Sequence, residues 1–299
     1  MKMIAGLRFF VVLLLLCFIA SANTRDGATW RLHLQEGQTF DQGLVTQVQI
    51  SRIFQQQPEQ LILITRTRLH NEVLRANADG SVMIKSTFQS VNTERYTLKN
   101  GTKLPLQQSS TAASQSAAAM QGKSFQVTFS PRGEMLKYEG IDAIARAMLT
   151  DIKNPDMQKF MLQMTTRSLE GIARQIAGEV TFPESAVTVG DSWKPPTSSD
   201  NNPNIATNYT LMSQQDGVAV VALRSDAASS KTVTEQPHQH TTRTLAGTSS
   251  GVIRIDEKTG LIRSYEMHGE SHTEAKGTFA AQHYQTTSRG WTLLPASAK

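Results

Sequence analysis

The chain has 299 residues with 30 basic and 25 acidic side chains, an excess too small and too scattered to point to nucleic acid or another polyanion. Its one cysteine, Cys17, lies in an N-terminal apolar stretch, so no disulfide can staple the remainder and thiol catalysis is excluded there. The rest must hold its fold by packing alone, and it is long enough to do so.

Lys2 and Arg8 precede an unbroken apolar run, Phe9 to Ile19, and Ala20-Ser21-Ala22 then offers small residues before Asn23. That is the order of parts in a secretory signal peptide, residues 1–22, cut after Ala22. The run falls short of the roughly 20 residues a helix needs to cross a hydrocarbon core. No longer apolar stretch follows, so no stable membrane span is expected after cleavage. Removal of the segment would leave 277 residues, and without Lys2 and Arg8 the excess of five positive charges falls to three. Leu16 stands before Cys17, where lipid attachment wants a small residue, which argues against an acyl anchor. The expected location is the periplasm or the extracellular medium.

From Thr29 to about Val91 apolar residues alternate with polar ones. Trp30, Leu32 and Leu34 share one side of a strand, as do Val48 and Ile50. Leu61 to Ile64 reads as a buried strand start that continues as Thr65-Arg66-Thr67-Arg68-Leu69. Asp79-Gly80 is a tight-turn signal, and Val82, Ile84 and Phe88 mark the return strand. Connections this short make an antiparallel meander, because parallel crossovers need a dozen residues or more. Residues 107–121 are low in complexity and read as a loop or weak helix. Phe125, Val127 and Phe129, a turn at Pro131-Arg132-Gly133, then Met135 and Tyr138 form a further hairpin.

Beyond residue 141 the period changes. Ile141, Ile144, Met148 and Ile152 recur at steps of three and four. Asn154-Pro155 then supplies an N-cap and a first-turn proline for a second helix. Its predicted stripe is Met157, Phe160, Met161, Met164, Ser168, Ile172 and Ile176, with Gly178 as the stop. Extended structure resumes at Phe182-Pro183 and reaches Val189-Gly190-Asp191-Ser192-Trp193, read as a corner with Trp193 as a buried anchor. A Pro/Ser/Asn linker spans 195–204, and Asp216-Gly217 is another tight turn. Residues 225–250 are polar without clear period until Leu245. A hairpin around Asp256 to Gly260 and a last strand from Thr278 to Trp291 complete the chain.

The fold class expected is α+β and mostly antiparallel β: a curved sheet or half-open barrel with a central two-helix insertion. Its parts are a first β half at 23–140, the helical insertion at 141–180 and a second β half at 181–299. Gly133 with Tyr138-Glu139 and Gly260 with Tyr265-Glu266 have the same spacing, which suggests a duplication.

Phe182-Pro183, Thr188-Val189-Gly190-Asp191-Ser192-Trp193 and the later hairpin Ile253 to Glu266 resemble an uncharacterised family of secreted bacterial proteins, domain of unknown function 6263. More distantly, the long strands with interposed helices resemble the periplasmic lipoprotein carriers of the lipoprotein localisation superfamily. That resemblance implies a curved, half-open barrel closed by helices over an apolar cavity, and it assigns no catalytic residue.

No nucleophile elbow, phosphate loop or dinucleotide-binding glycine motif is present, so no catalytic residue and no cofactor are assigned. His268 and His272 alternate with Glu266, Glu270 and Glu274 along one strand face. Such a row could in principle hold a metal, but the spacing matches no metal motif and an exposed polar face is the expected reading. The residues expected to bind a ligand are Met157, Phe160, Met161 and Met164, as the adaptable apolar wall of a cavity against the concave side of the sheet. The function this implies is an exported envelope binding protein, carrying a lipid, another hydrophobic small molecule or a lipidated protein. A non-catalytic envelope scaffold is the alternative, and a hydrolase a third.

Overall fold

Period-two patterning becomes strands of unusual length. The computed structural model describes residues 27–54, 57–99, 102–105, 117–150, 152–177, 180–196, 205–236, 239–276 and 282–293. The signal segment, the cut after Ala22, most of the low-complexity stretch, Gly178 and most of the 195–204 linker lie outside them. The first half contributes β1 (Thr39–Phe54), β2 (Gln57–Ala76), β3 (Val82–Lys99), β4 (Thr102–Pro105), β5 (Ser124–Phe129) and β6 (Met135–Glu139). Two helices follow, α1 (Ile141–Ala147) and α2 (Pro155–Arg174). The second half contributes β7 (Ser192–Trp193), β8 (Ile205–Gln215), β9 (Val218–Gln236), β10 (Gln239–Asp256), β11 (Ile262–Lys276) and β12 (Gln282–Leu293).

All the pairings between these strands are antiparallel, in one open sheet of order β6-β5-β3-β2-β1-β12-β11-β10-β9-β8-β7, with β4 alongside β3. The first and last strands therefore meet in the middle. The two edges, β6 and β7, are consecutive in the chain and are joined through the helices. The strands after the Asp79-Gly80 turn (β3, β5, β6) and those after Asp216-Gly217 (β9, β10, β11) run along the sheet in the same order, as the repeated turn spacing predicts. Asp216 and Gly217 both take positive φ, 54° and 72°, the backbone that a two-residue hairpin turn demands.

One face of the sheet carries the core. Val73, Ile84, Phe88, Val127 and Phe129 from one half join Leu211, Val221, Ile253 and Ile255 from the other. Ile141, Ile144, Leu169, Ala173 and Ile176 of the helical region fill the space between. The segment before β1 laces this end together. Leu32 N–H donates to the Pro131 carbonyl (2.7 Å), His33 N–H to that of Thr259 (2.8 Å), and Ala28 bridges Val187. Phe182 N–H donates to Arg132 (2.9 Å), so the chain entering β7 touches the turn before β6. Gly260 faces the Arg31 carbonyl so closely that a Cβ there would collide with it. Beside it, burial pushes the Asp256 carboxyl up. Hydrogen bonds from Arg263 and Thr259 outweigh that cost and hold it below the usual carboxylate range.

The Gly190 corner forms as predicted. Asp191 accepts from the Thr188 backbone and hydroxyl. Trp193 packs its ring between Trp30 (6.2 Å between centroids) and Tyr209 (5.5 Å) and donates to the Thr181 carbonyl. Trp193 is partly rather than fully buried.

Candidate functional site

Helix α2 is fixed to the sheet at its C-terminal end. Across β1, β2 and β3 a buried polar ladder crosses the inner face: Ser86 donates to Asn71 (2.6 Å), and Asn71 donates to Gln42 (3.1 Å). Gln42 in turn donates to the Ile176 carbonyl just beyond the helix (3.0 Å) and to Thr292 of β12 (3.2 Å). Leaving a buried polar side chain unpaired is costly, so this ladder favours one landing position for the helix. A second tie runs from the Tyr138 hydroxyl of β6 to the Glu170 carboxylate. That hydrogen bond, with burial and the carboxylate charge, pushes the Tyr138 hydroxyl up to about 12.

The N-terminal half of the helix behaves differently. Asn154 caps it as predicted, accepting from Met157 N–H at 3.0 Å, with Pro155 in the first turn. Met157, Phe160 and Met164 are 53%, 57% and 51% exposed, and Met161 is partly buried. The core-facing residues are Leu162, Leu169, Ala173 and Ile176, with Ile172 packed beside them, so of the predicted stripe the C-terminal members Ile172 and Ile176 turn to the core and the Met157–Met164 part does not. At 3.6 residues per turn these residues lie about 140° around the helix from the Met/Phe stripe. The expected single stripe is thus two apolar faces. The structure seals the second against the sheet and leaves the predicted ligand residues side by side but open, rather than enclosed over the concave side. The reason is leverage: the anchors are at the C-terminal end, and they rotate the Leu169 face inward.

The opposite face of the sheet holds a feature the sequence did not announce. Paired residues share a face. Trp291, Gly43, Arg68 and Ser90 stand abreast on β12, β1, β2 and β3, with Arg289, Val45, Arg66 and Asn92 in the next row. A Cβ on Gly43 would collide with Cζ2, Cε2 and Cη2 of Trp291, so the indole ring lies across the bare backbone. Beside it opens a depression of about 370 Å³. The only sequence signal was the Arg66/Arg68 alternation. The pairing with Trp291 is nonlocal. Farther along the same face, His268 sits 3.4 Å from both Glu266 and Thr287, and the His272 and His283 rings are 6.4 Å apart. Among the described residues no three His, Cys, Asp or Glu side chains converge to hold a metal. No helix among them is long and apolar enough to cross a membrane.

A model of the family of unknown function DUF6263 matches residues 78–262. The chain belongs to this family. The match runs from the β2–β3 turn through both helices to the first residue of β11. No curated protein matches the chain. Among solved structures, lipovitellin, reported for its lipid–protein interactions, is similar with a TM-score of 0.54 and 9% identity. The similarity covers 89% of this chain and 26% of lipovitellin, so the chain spans about a quarter of that protein. It is a likeness of fold. The attachment invasion locus protein Ail of Yersinia pestis (6% identity, 87% of this chain and 100% of that one) reaches a TM-score of 0.16. An outer membrane channel of Pseudomonas putida F1 (6%, 92% and 100%) reaches 0.21. Neither value carries an argument about this protein.

Proposed function

We propose that this protein is an exported binding protein of the cell envelope that takes up a lipid acyl chain on the Met157–Met164 face of α2. The observation that carries this reading is the apolar face of α2 that its core contact leaves open. Met157, Phe160 and Met164 stand in a contiguous exposed row on a helix whose core contact is made elsewhere. An apolar row in water is a standing cost unless something covers it. Methionine side chains are flexible and polarizable, and they adapt to chains of varied length and curvature. The likeness in fold to lipovitellin, a protein studied for lipid–protein interactions, supports a lipid over another apolar ligand. Export is supported by the signal segment at residues 1–22.

The test is titration of the purified protein with a fluorescent fatty acid. Wild type is expected to bind at micromolar concentrations, and Phe160→Ser to weaken binding about tenfold, a difference of about 1.4 kcal/mol. The melting temperature should be unchanged, because the side chain removed is more than half exposed. No binding by wild type, or equal binding by the variant, would remove the acyl-chain reading.

A further inference from the structure

We propose that the outer face of the sheet carries a second binding site, for a sugar ring bearing a carboxylate or phosphate, formed by Trp291, Arg66 and Arg68 beside the depression over Gly43. The site lies opposite the helices. Gln42 points to the helical side, and its chain neighbour Gly43 carries Trp291 on the other. It therefore stands or falls independently of the acyl-chain reading.

Three observations converge. The first is the indole. Trp30 is buried and Trp193 packs against two other rings, whereas Trp291 is 39% exposed. One face of its ring is occupied by the Gly43 backbone, which leaves the other as a flat apolar platform. An aromatic platform with polar neighbours suits a ligand that is apolar on one face and hydroxylated at its rim, as a pyranose is.

The second is charge. Arg68 has no ion-pair or side-chain hydrogen-bond partner among the described residues, and Arg66 reaches Glu94 only at 3.7 Å. Glu94 already accepts from Lys103. In the same row Arg289 is fully engaged, donating twice to Glu266. Arg68 is thus presented to the depression uncompensated, with Arg66 beside it sharing Glu94 with Lys103. Their planar forks match carboxylate or phosphate oxygens.

The third is shape. The depression, about 370 Å³, is of the size that small-ligand sites occupy, and Ser90 and Asn92 on β3 supply side-chain donors and acceptors at its far wall. A ring stacked on Trp291 would place its hydroxyls toward β3 and its anion between the arginines. A free acidic oligosaccharide and the charged sugar head of a lipid share this chemistry.

The experiment follows tryptophan fluorescence and calorimetric heat as the full chain is titrated with trigalacturonate, and separately with phosphatidylcholine vesicles containing phosphatidylinositol. Maltotriose, inorganic phosphate and vesicles of phosphatidylcholine alone are the controls. Saturable binding of either charged-sugar probe is expected, about tenfold tighter than any control, and it should weaken as salt rises. The probe that binds identifies the source, free saccharide or lipid head. Arg68→Gln removes an exposed charge, so the fold should survive, confirmed by an unchanged melting temperature, and binding should drop about tenfold. Trp291→Ala, read by calorimetry, should abolish it. Binding of neither probe overturns the proposal. So does equal binding of phosphate or maltotriose, or undiminished binding by Arg68→Gln.

Discussion

Asn71 shows how much one side chain can decide. It is fully buried, it donates to Gln42 and accepts from Ser86, and through Gln42 it connects three strands to the end of the helical region. Asn71→Ala removes the middle of the ladder and strands the Gln42 carbonyl and the Ser86 hydroxyl without partners. A buried polar group so orphaned costs about 1–3 kcal/mol. Denaturant unfolding should register a loss in that range, and the Asn71→Ala/Gln42→Leu double variant should lose less than the sum of its singles, because the second change removes one of the groups the first orphans. No single-sequence pattern reveals such a ladder. Gln42, Asn71 and Ser86 read as ordinary polar strand residues, and only the register makes them neighbours.

Among the elements, helix α2 has the most to lose from a change of pH. Its Glu170 accepts from Tyr138, and that bond exists only while the phenol keeps its proton. The Tyr138 hydroxyl is raised from 10.0 to about 12, so the folded state binds the proton more tightly than the unfolded chain. The contribution is present in full below about pH 10 and is lost as pH rises toward 12. Melting curves of wild type and Tyr138→Phe should therefore differ at neutral pH and converge over that window. A constant gap across it would show that the bond does not link stability to pH. The start of this helix was legible, since Asn154-Pro155 is a local cap signal. Its orientation was not, because methionine and leucine stripes look alike until the anchors at Glu170 and Ile176 say which turns inward. Strands were legible wherever one face meets the core, as at Val82, Ile84 and Phe88. In the long hairpin of β9 and β10 only the ends near Val218 and Ile255 were legible, because the distal part is Ser/Thr-rich and lacks an apolar side to alternate with.

For the molecule as a whole, the tight turns and the helical insertion predict two antiparallel halves. That the halves merge into one sheet through β1 and β12 is invisible from local sequence. Gln42 bonds Thr292 across 250 positions of the chain. Deletion of β12, residues 282–293, would leave both β1 and β11 with an open edge. Such edges are templates for pairing with other chains, so the truncated protein should elute as soluble aggregate or precipitate in size-exclusion chromatography rather than run as a smaller monomer.

The central seam also sets a clock. A polypeptide is delivered from its N-terminus, so β1 can pair with β2 early, while its other neighbour, β12, arrives only after the other strands of the sheet. Until then the strand destined for the middle of the sheet waits as a rim, and the contacts that retire it are the most distant in sequence, the kind that form slowest. The interval between the first hairpin and the last strand is when a chaperone that shields strand edges would matter most. It is also when a proteolytic cut near residue 280 would do more harm than the same cut made after the seam had closed.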